Sequence, residues 1–141
     1  MKDGIDFSQL DGFSKRLMAL AEREMPQETN KFMRQEGNKL RRITSKVAKQ
    51  KVKSRTKNYI KGIKRGKVYK FKGDETSIRV YNGAPHAHLI EHGHRIVGRD
   101  GTEHGFAKGQ RVYEEAGRQF EKEFIEDCER FIDDLLENGL R

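Results

Sequence analysis

Seven residues near the C-terminus, Tyr113, Ala116, Phe120, Phe124, Cys128, Phe131 and Leu135, recur every three or four positions. That is the period of one face of an α-helix, and Glu and Asp fill the opposite face. A stripe so rich in aromatic rings must be buried, so the rest of the chain has to supply a partner surface. The spacing predicts a helix over 110–138, ended by Gly139. Cys128 lies on the stripe and reads as a buried structural thiol rather than a nucleophile. It is the only cysteine, which excludes an internal disulfide framework and a thiolate zinc cluster and suits a reducing compartment.

The partner surface is sought upstream. Phe7, Leu10, Phe13, Leu17 and Leu20 have helical spacing, with Asp6 or Ser8 available as N-cap. Pro26 interrupts that helix and suits the first turn of a second one. The second helix carries Met33, Leu40, Ile43 and Val47 on one stripe and runs to about Lys53. The period then changes. Ile60–Ile63, Val68–Phe71 and Ile78–Tyr81 read as short strands of an antiparallel meander, with Gly66 and Gly73-Asp74 as turns. Glycines at 93, 98, 101, 105 and 109 predict a long loop, mobile over 98–109. A chain of 141 residues has room for one domain. We divide it into a helical part (1–53), a sheet (54–97), a mobile loop (98–109) and a C-terminal helix (110–138). No run reaches the roughly 18 apolar residues of a membrane helix. No apolar segment follows Met1-Lys2-Asp3-Gly4, so a secretory leader is not expected.

Charge is divided along the chain. Residues 31–72 hold seventeen Lys and Arg against Glu36 alone, whereas residues 113–141 hold ten acidic groups against four basic ones. Such a block can face nucleic acid, meet an acidic patch on a neighbour or a second copy, or be a solvated face balanced within the fold. The acidic end is too small to neutralise the basic block, which favours an external anionic partner. Lys46, Lys49, Lys53, Arg55 and Lys57 are the candidates for an acidic neighbour or DNA. Tyr59, Tyr69 and Phe71 lie close by and could stack on single strands. A free nucleic-acid-binding protein is therefore the alternative function, although no recognition-helix or RNA-motif signature accompanies the block.

All five histidines fall between positions 86 and 104. His88-x-x-Glu91-His92 matches the inverted zinc-protease pattern, which needs two imidazoles one helical turn apart, a carboxylate base and a distant third ligand. Pro85 and Gly93 bracket the motif too closely for a helix of useful length, so a zinc hydrolase is the remote alternative. On extended backbone His86 and His88 would share one side, as would His92 and His94, and two such pairs could clamp a metal. The reading we prefer is that these histidines line a short strand or turn at a subunit contact. There is no phosphate-cradling glycine loop, and Ser45, Ser54 and Ser77 have no nucleophile context. No cofactor is expected.

The stretch Ala84-Pro85-His86-Ala87-His88-Leu89-Ile90-Glu91-His92-Gly93-His94-Arg95 resembles the "APYAHxVExGHR" signature of the gene-product-ten family of tailed bacteriophages and prophages. Three further stretches resemble the family in order. They are Ser54–Ile63 ("VRTGNLRRSI"), Ile78–Asn82, and Lys108–Ala116 ("PGRHFLEKA"). Lys57 replaces the family's usual Gly, and Lys108-Gly109 replaces its Pro-Gly. The resemblance, over about residues 30–140, implies an α+β subunit. A long N-terminal helix and a C-terminal helix would pack on a small antiparallel sheet, with a loop that docks on neighbours. It implies a non-enzymatic structural virion protein of tail completion or head–tail joining. Its partners would be other neck and tail proteins, and it would form a homo-oligomeric ring around the DNA channel, without a membrane. The location would be the tail or neck of the virion, reached from the bacterial cytoplasm. Pro85, His86, His88, Glu91, His92, Gly93, His94 and Arg95 would then form a structural and contact hairpin. A cationic middle and an anionic end suit the head-to-tail contacts of a ring.

Overall fold

The computed structural model describes residues 4–52, 57–71, 75–85 and 87–138. The aromatic stripe forms the helix that its spacing predicts. This helix, α5 (Val112–Asn138), buries Tyr113, Ala116, Phe120, Phe124, Cys128, Ile132 and Leu135. Gly139 lies outside the described residues. The partner is α2 (Pro26–Lys51), whose Pro26 sits in the first turn, where its missing N–H leaves no bond unmade. Helix α2 buries Phe32, Met33, Leu40 and Val47 among others. The two helices run antiparallel. Phe32 stacks on Phe131 with ring centroids 4.4 Å apart at 15°, and towards the other end Lys51 donates to the carbonyl of Gln110 at 3.1 Å. Helix α1 (Gly12–Glu24) packs on both.

Helix α1 buries a different face from the one expected. Its cap is Asp11, which accepts the N–H of Ser14 at 2.8 Å, rather than Asp6 or Ser8. Asp6 instead caps a 3-10 turn over Phe7–Gln9, and the buried Phe7 and Leu10 belong to that turn and its end. The apolar residues thus span two elements, and one continuous period does not describe them. Phe13 is 65% exposed, while Met18 and Ala21 fill the core.

The segment Ile60–Ile63 is not extended throughout. A short helix, α3 (Lys57–Lys61), comes first, closed by the Gly62 N–H on the carbonyl of Asn58 at 2.9 Å. Strands β2 (Ile63–Arg65) and β3 (Tyr69–Phe71) follow, then β4 (Glu75–Asn82). They do not form a meander, because β2 and β3 both pair antiparallel with β4, Ile63 opposite Asn82 and Tyr69 opposite Ser77. Between these pairings Gly66–Val68 face only Ile78 and Arg79, the three-against-two count of a β-bulge. Gly66 donates to the carbonyl of Arg79 at 2.8 Å, so it carries the strand onward instead of ending it. The turn expected at Gly73-Asp74 lies outside the described residues. Strand β1 (Gly4–Ile5), which the sequence did not announce, pairs with Arg79 and Ile78 across from β2.

The architecture is α+β, with helices on one face of an antiparallel sheet. Ile78 and Val80 of β4 are fully buried on the helix side. Gly37 marks the crossing of α2 over the sheet. A Cβ there would lie 2.8 Å from Ile78 Cδ1 and 3.0 Å from Arg65 Cγ. Arg79 and Tyr81 point the other way, to solvent, as the two-residue period of a strand requires.

Residues 98–109 are not one long loop: 98–102 form the turn of a hairpin and 103–108 its second strand. Strand β5 (Gly93–Val97) pairs antiparallel with β6 (Glu103–Lys108) as a separate hairpin. The glycines that suggested a loop are its turn and bulge residues. Gly98 donates to the carbonyl of Thr102 at 2.8 Å across the tip, and Gly101 adopts φ +81°. Gly105, at φ +114°, sits where the register shifts opposite Ile96. Only glycine adopts these angles without strain. Both faces of the hairpin are largely exposed, and Ile96, Val97 and Phe106 are 43%, 59% and 63% accessible. Among the described residues, no helix is long and apolar enough to cross a membrane.

Candidate assembly surface

The histidine-rich stretch is a short helix, α4 (Ala87–His92), that runs directly into β5. Its glutamate does not face solvent. Glu91 is buried, and its carboxylate accepts the N–H of Tyr113 at 3.0 Å and that of Glu114 at 3.3 Å. These are first-turn donors of α5, groups that a helix cannot satisfy internally, and a carboxylate there also faces the positive end of the helix dipole. The backbone of α4 joins in. Gln110 donates to the carbonyl of Ile90 at 2.7 Å and Arg111 to that of Glu91 at 3.2 Å. Arg111 is held at φ +53°, a left-handed conformation uncommon for a residue with a Cβ.

Glycines fix the stem of the hairpin. Gly93 adopts φ +89°, and a Cβ on it would lie 2.8 Å from the nitrogen of Gly109 and 2.9 Å from the Phe106 ring. The motif therefore clamps the hairpin base to the start of α5. Of the residues singled out in sequence, Glu91 and Gly93 build this clamp, while Pro85, His88, His92, His94 and Arg95 are exposed or nearly so on its outside. Arg95 lies opposite Phe106 in the hairpin ladder. His86 lies outside the described residues. Of the histidines expected to pair on extended backbone, His88 and His92 lie instead on α4 and His94 in β5. With both carboxylate oxygens of Glu91 directed at α5, the arrangement differs from that of a catalytic base beside two metal ligands. Among the described residues, no three His, Cys, Asp or Glu side chains are grouped to hold a metal.

The basic block splits into two surfaces. Lys46 and Lys49 are exposed on the outer side of α2, together with Lys31, Arg34, Arg41 and Arg42. Lys53 and Arg55 lie outside the described residues, and Lys57 opens α3 with its side chain outside the description. The neighbouring helix α5 exposes Glu126, Glu129, Asp133 and Glu137, so ridges of opposite sign lie side by side. Tyr59, expected to stack on nucleic acid, is buried instead, and its backbone carbonyl accepts from Asn82 at 2.8 Å. Burial, with the nearby Glu91 charge, raises the Tyr59 phenol above its ordinary value.

One ion cluster seals the α2–α5 seam. Lys39 Nζ lies 2.7 Å from Asp127 Oδ2, 3.5 Å from Glu36 Oε2 and 3.6 Å from Glu123. Glu36 is 2% exposed and its Oε1 has no hydrogen-bond partner among the described residues. Burial, with Asp127 beside it, pushes the Glu36 carboxyl up to about 8. Asp127 stays below its ordinary value although burial opposes this, because Glu36 and Lys39 hydrogen-bond to it. Burial likewise raises the Cys128 thiol, in keeping with a structural role.

The sequence reading missed the exposed Ile96, Val97 and Phe106, and it missed the part of Gly109 and Arg111 in the clamp. The signal for the hairpin was the spacing of Gly101 and Gly105 between two runs able to pair.

Over residues 11–93, α1 to the base of the hairpin, the chain matches the family described as "Bacteriophage HK97-gp10, putative tail-component". No curated protein and no solved structure matches the chain.

Proposed function

We propose that this chain, which belongs to the HK97-gp10-like family of phage tail components, completes the tail or joins it to the head as one subunit of a ring. The observation that carries the reading is the β5–β6 hairpin. A two-stranded ribbon is marginal in water by itself, and three large apolar side chains on it are 43–63% exposed. Packed against a neighbouring subunit, the ribbon gains the partner it lacks in the isolated chain. The clamp of Glu91, Gly93 and Gly109 holds it at a fixed angle to the body, as a docking element requires.

Charge supports the same reading. The cationic ridge of α2 and the anionic ridge of α5 offer a neighbouring subunit two patches of opposite sign. Lys46 and Lys49 on that ridge meet an acidic neighbour or the DNA that passes through the ring. The function is one of contact, not of turnover, and its place is the virion. Electron microscopy of particles made without this gene tests the proposal. Unjoined heads and tails, or tails of irregular length, are expected. Intact particles with normal tails would overturn it.

A further inference from the structure

We infer that the outer face of α2 binds the phosphates of duplex nucleic acid without reading its sequence. Lys31, Arg34, Arg41, Arg42, Lys46 and Lys49 are all exposed there. At 3.6 residues per turn they fall within an arc of about 140° and extend along about 27 Å of helix. Between Lys31 and Lys49 the same arc holds only Gln35, Asn38, Lys39 and Ser45 besides. Glu28 precedes the stripe, in the first turn of α2. Glu36, the one acidic residue within its span, is 2% exposed and turned into the α5 seam. On that flank Lys39 is held by Glu123 and Asp127, and Arg42 shares the adjoining cleft with Asp127 and Asp134. On the other flank the stem of Arg65, from β2, lies against Gly37. Among the described residues, Lys31, Arg34, Arg41, Lys46 and Lys49 form no ion pair.

The composition of the stripe selects its partner. It exposes no apolar side chain between Lys31 and Lys49. An interface with an acidic protein has a fully buried core depleted in charged residues, and exposed ion pairs alone contribute about 0–1 kcal/mol each. It exposes no aromatic ring either, so it offers unpaired bases nothing to stack on. A duplex asks for neither. Its affinity for cations comes from the release of counterions, and along about 27 Å it carries roughly sixteen phosphate charges, half of them on each strand. A straight helix held rigid by its buried face presents six cations to such a row at no cost in ordering the backbone. Arg34 and Arg41, on the flank away from the α5 carboxylates, lead the contact. The inference names the partner of the α2 ridge within the proposed ring and rests on that reading for the presence of a duplex.

The test is fluorescence anisotropy with the full chain and two labelled 20-base-pair DNA duplexes of unrelated sequence, from 50 to 200 mM salt. The two duplexes should bind equally, with log affinity falling against log salt at a slope of about −5, the value for six phosphate contacts. Arg34→Ala with Arg41→Ala should bring the slope to about −3 and weaken binding at least about tenfold. Arg34→Lys with Arg41→Lys keeps both charges and should keep the slope. Lys67→Ala with Lys122→Ala removes two exposed cations away from the stripe and should leave binding unchanged. Melting temperatures equal to that of the parent show that these exposed positions leave the fold intact. The inference is overturned if the Arg34→Ala, Arg41→Ala protein keeps the parent's slope and affinity, or if the Lys67→Ala, Lys122→Ala protein loses as much. It is overturned if one duplex binds more than about tenfold tighter than the other. It is also overturned if polyglutamate of equal charge displaces the duplex as well as unlabelled duplex does, since the ridge would then dock an acidic protein. Absence of duplex binding together with unjoined particles from the gene deletion would sink this inference and spare the ring.

Discussion

The carboxylate of Glu91 accepts the N–H of Tyr113 at 3.0 Å, so α5 is capped by a side chain 22 residues before it. An N-cap usually comes from the residue at the helix start. Here that residue is the strained Arg111, and the cap comes from α4. The hairpin between them is thereby tied at both ends to one point on the body.

Glu91→Ala leaves the buried N–H of Tyr113 and the part-buried N–H of Glu114 without their acceptor. A loss of about 2–3 kcal/mol is expected, enough to lower the melting temperature by roughly 5 °C or more. Glu91→Gln keeps an acceptor but not the charge at the helix terminus, and should lose about 1 kcal/mol. Thermal melts followed by circular dichroism measure both. A Glu91→Ala variant that melts within about 1 °C of the parent would contradict the cap.

Glu36 gives a pH dependence of known sign. Its carboxyl titrates ordinarily near 4.5 and in the fold at about 8. Between these values the folded chain holds a proton that the unfolded chain has released. Stability from this group therefore falls as pH rises through that window, by up to about 1.4 kcal/mol per pH unit. Asp127, whose value is lowered, acts oppositely but only at the acid end, below its ordinary 3.8. Urea denaturation at pH 5, 6.5 and 8 should show the parent losing stability relative to Glu36→Gln. Parallel pH profiles for the two proteins would refute the assignment.

Ile96→Ser and Phe106→Ser separate folding from assembly. These side chains are 43% and 63% exposed, so each substitution should change monomer stability by less than about 0.5 kcal/mol. Each should lower self-association in sedimentation velocity at concentrations where the parent assembles. A large fall in melting temperature would mean that the side chains pack within the monomer.

The fold was legible in sequence where one element owned its apolar residues. The stripe from Tyr113 to Leu135 lies on a single helix, and period alone located it. The stripe from Phe7 to Leu20 crosses from a 3-10 turn into α1, so the same argument chose Phe13 over Met18 for the core. Glycine-rich residues 98–109 read as a loop because glycine marks both loops and bulges. Pairing with β5 decided between them, and single-sequence spacing does not contain it. At the site, the signature located Glu91 but not its use. The cap depends on bringing α4 against the start of α5, a tertiary contact between residues distant in sequence.

The central claim is that the β5–β6 hairpin is an assembly element of a phage tail protein. Electron microscopy of particles from a gene-deleted phage, complemented with the parent chain or with Phe106→Asp, tests it most directly. The account predicts joined particles with normal tails from the parent, and unjoined or irregular ones from a Phe106→Asp protein that melts normally. Normal particles from Phe106→Asp would contradict it.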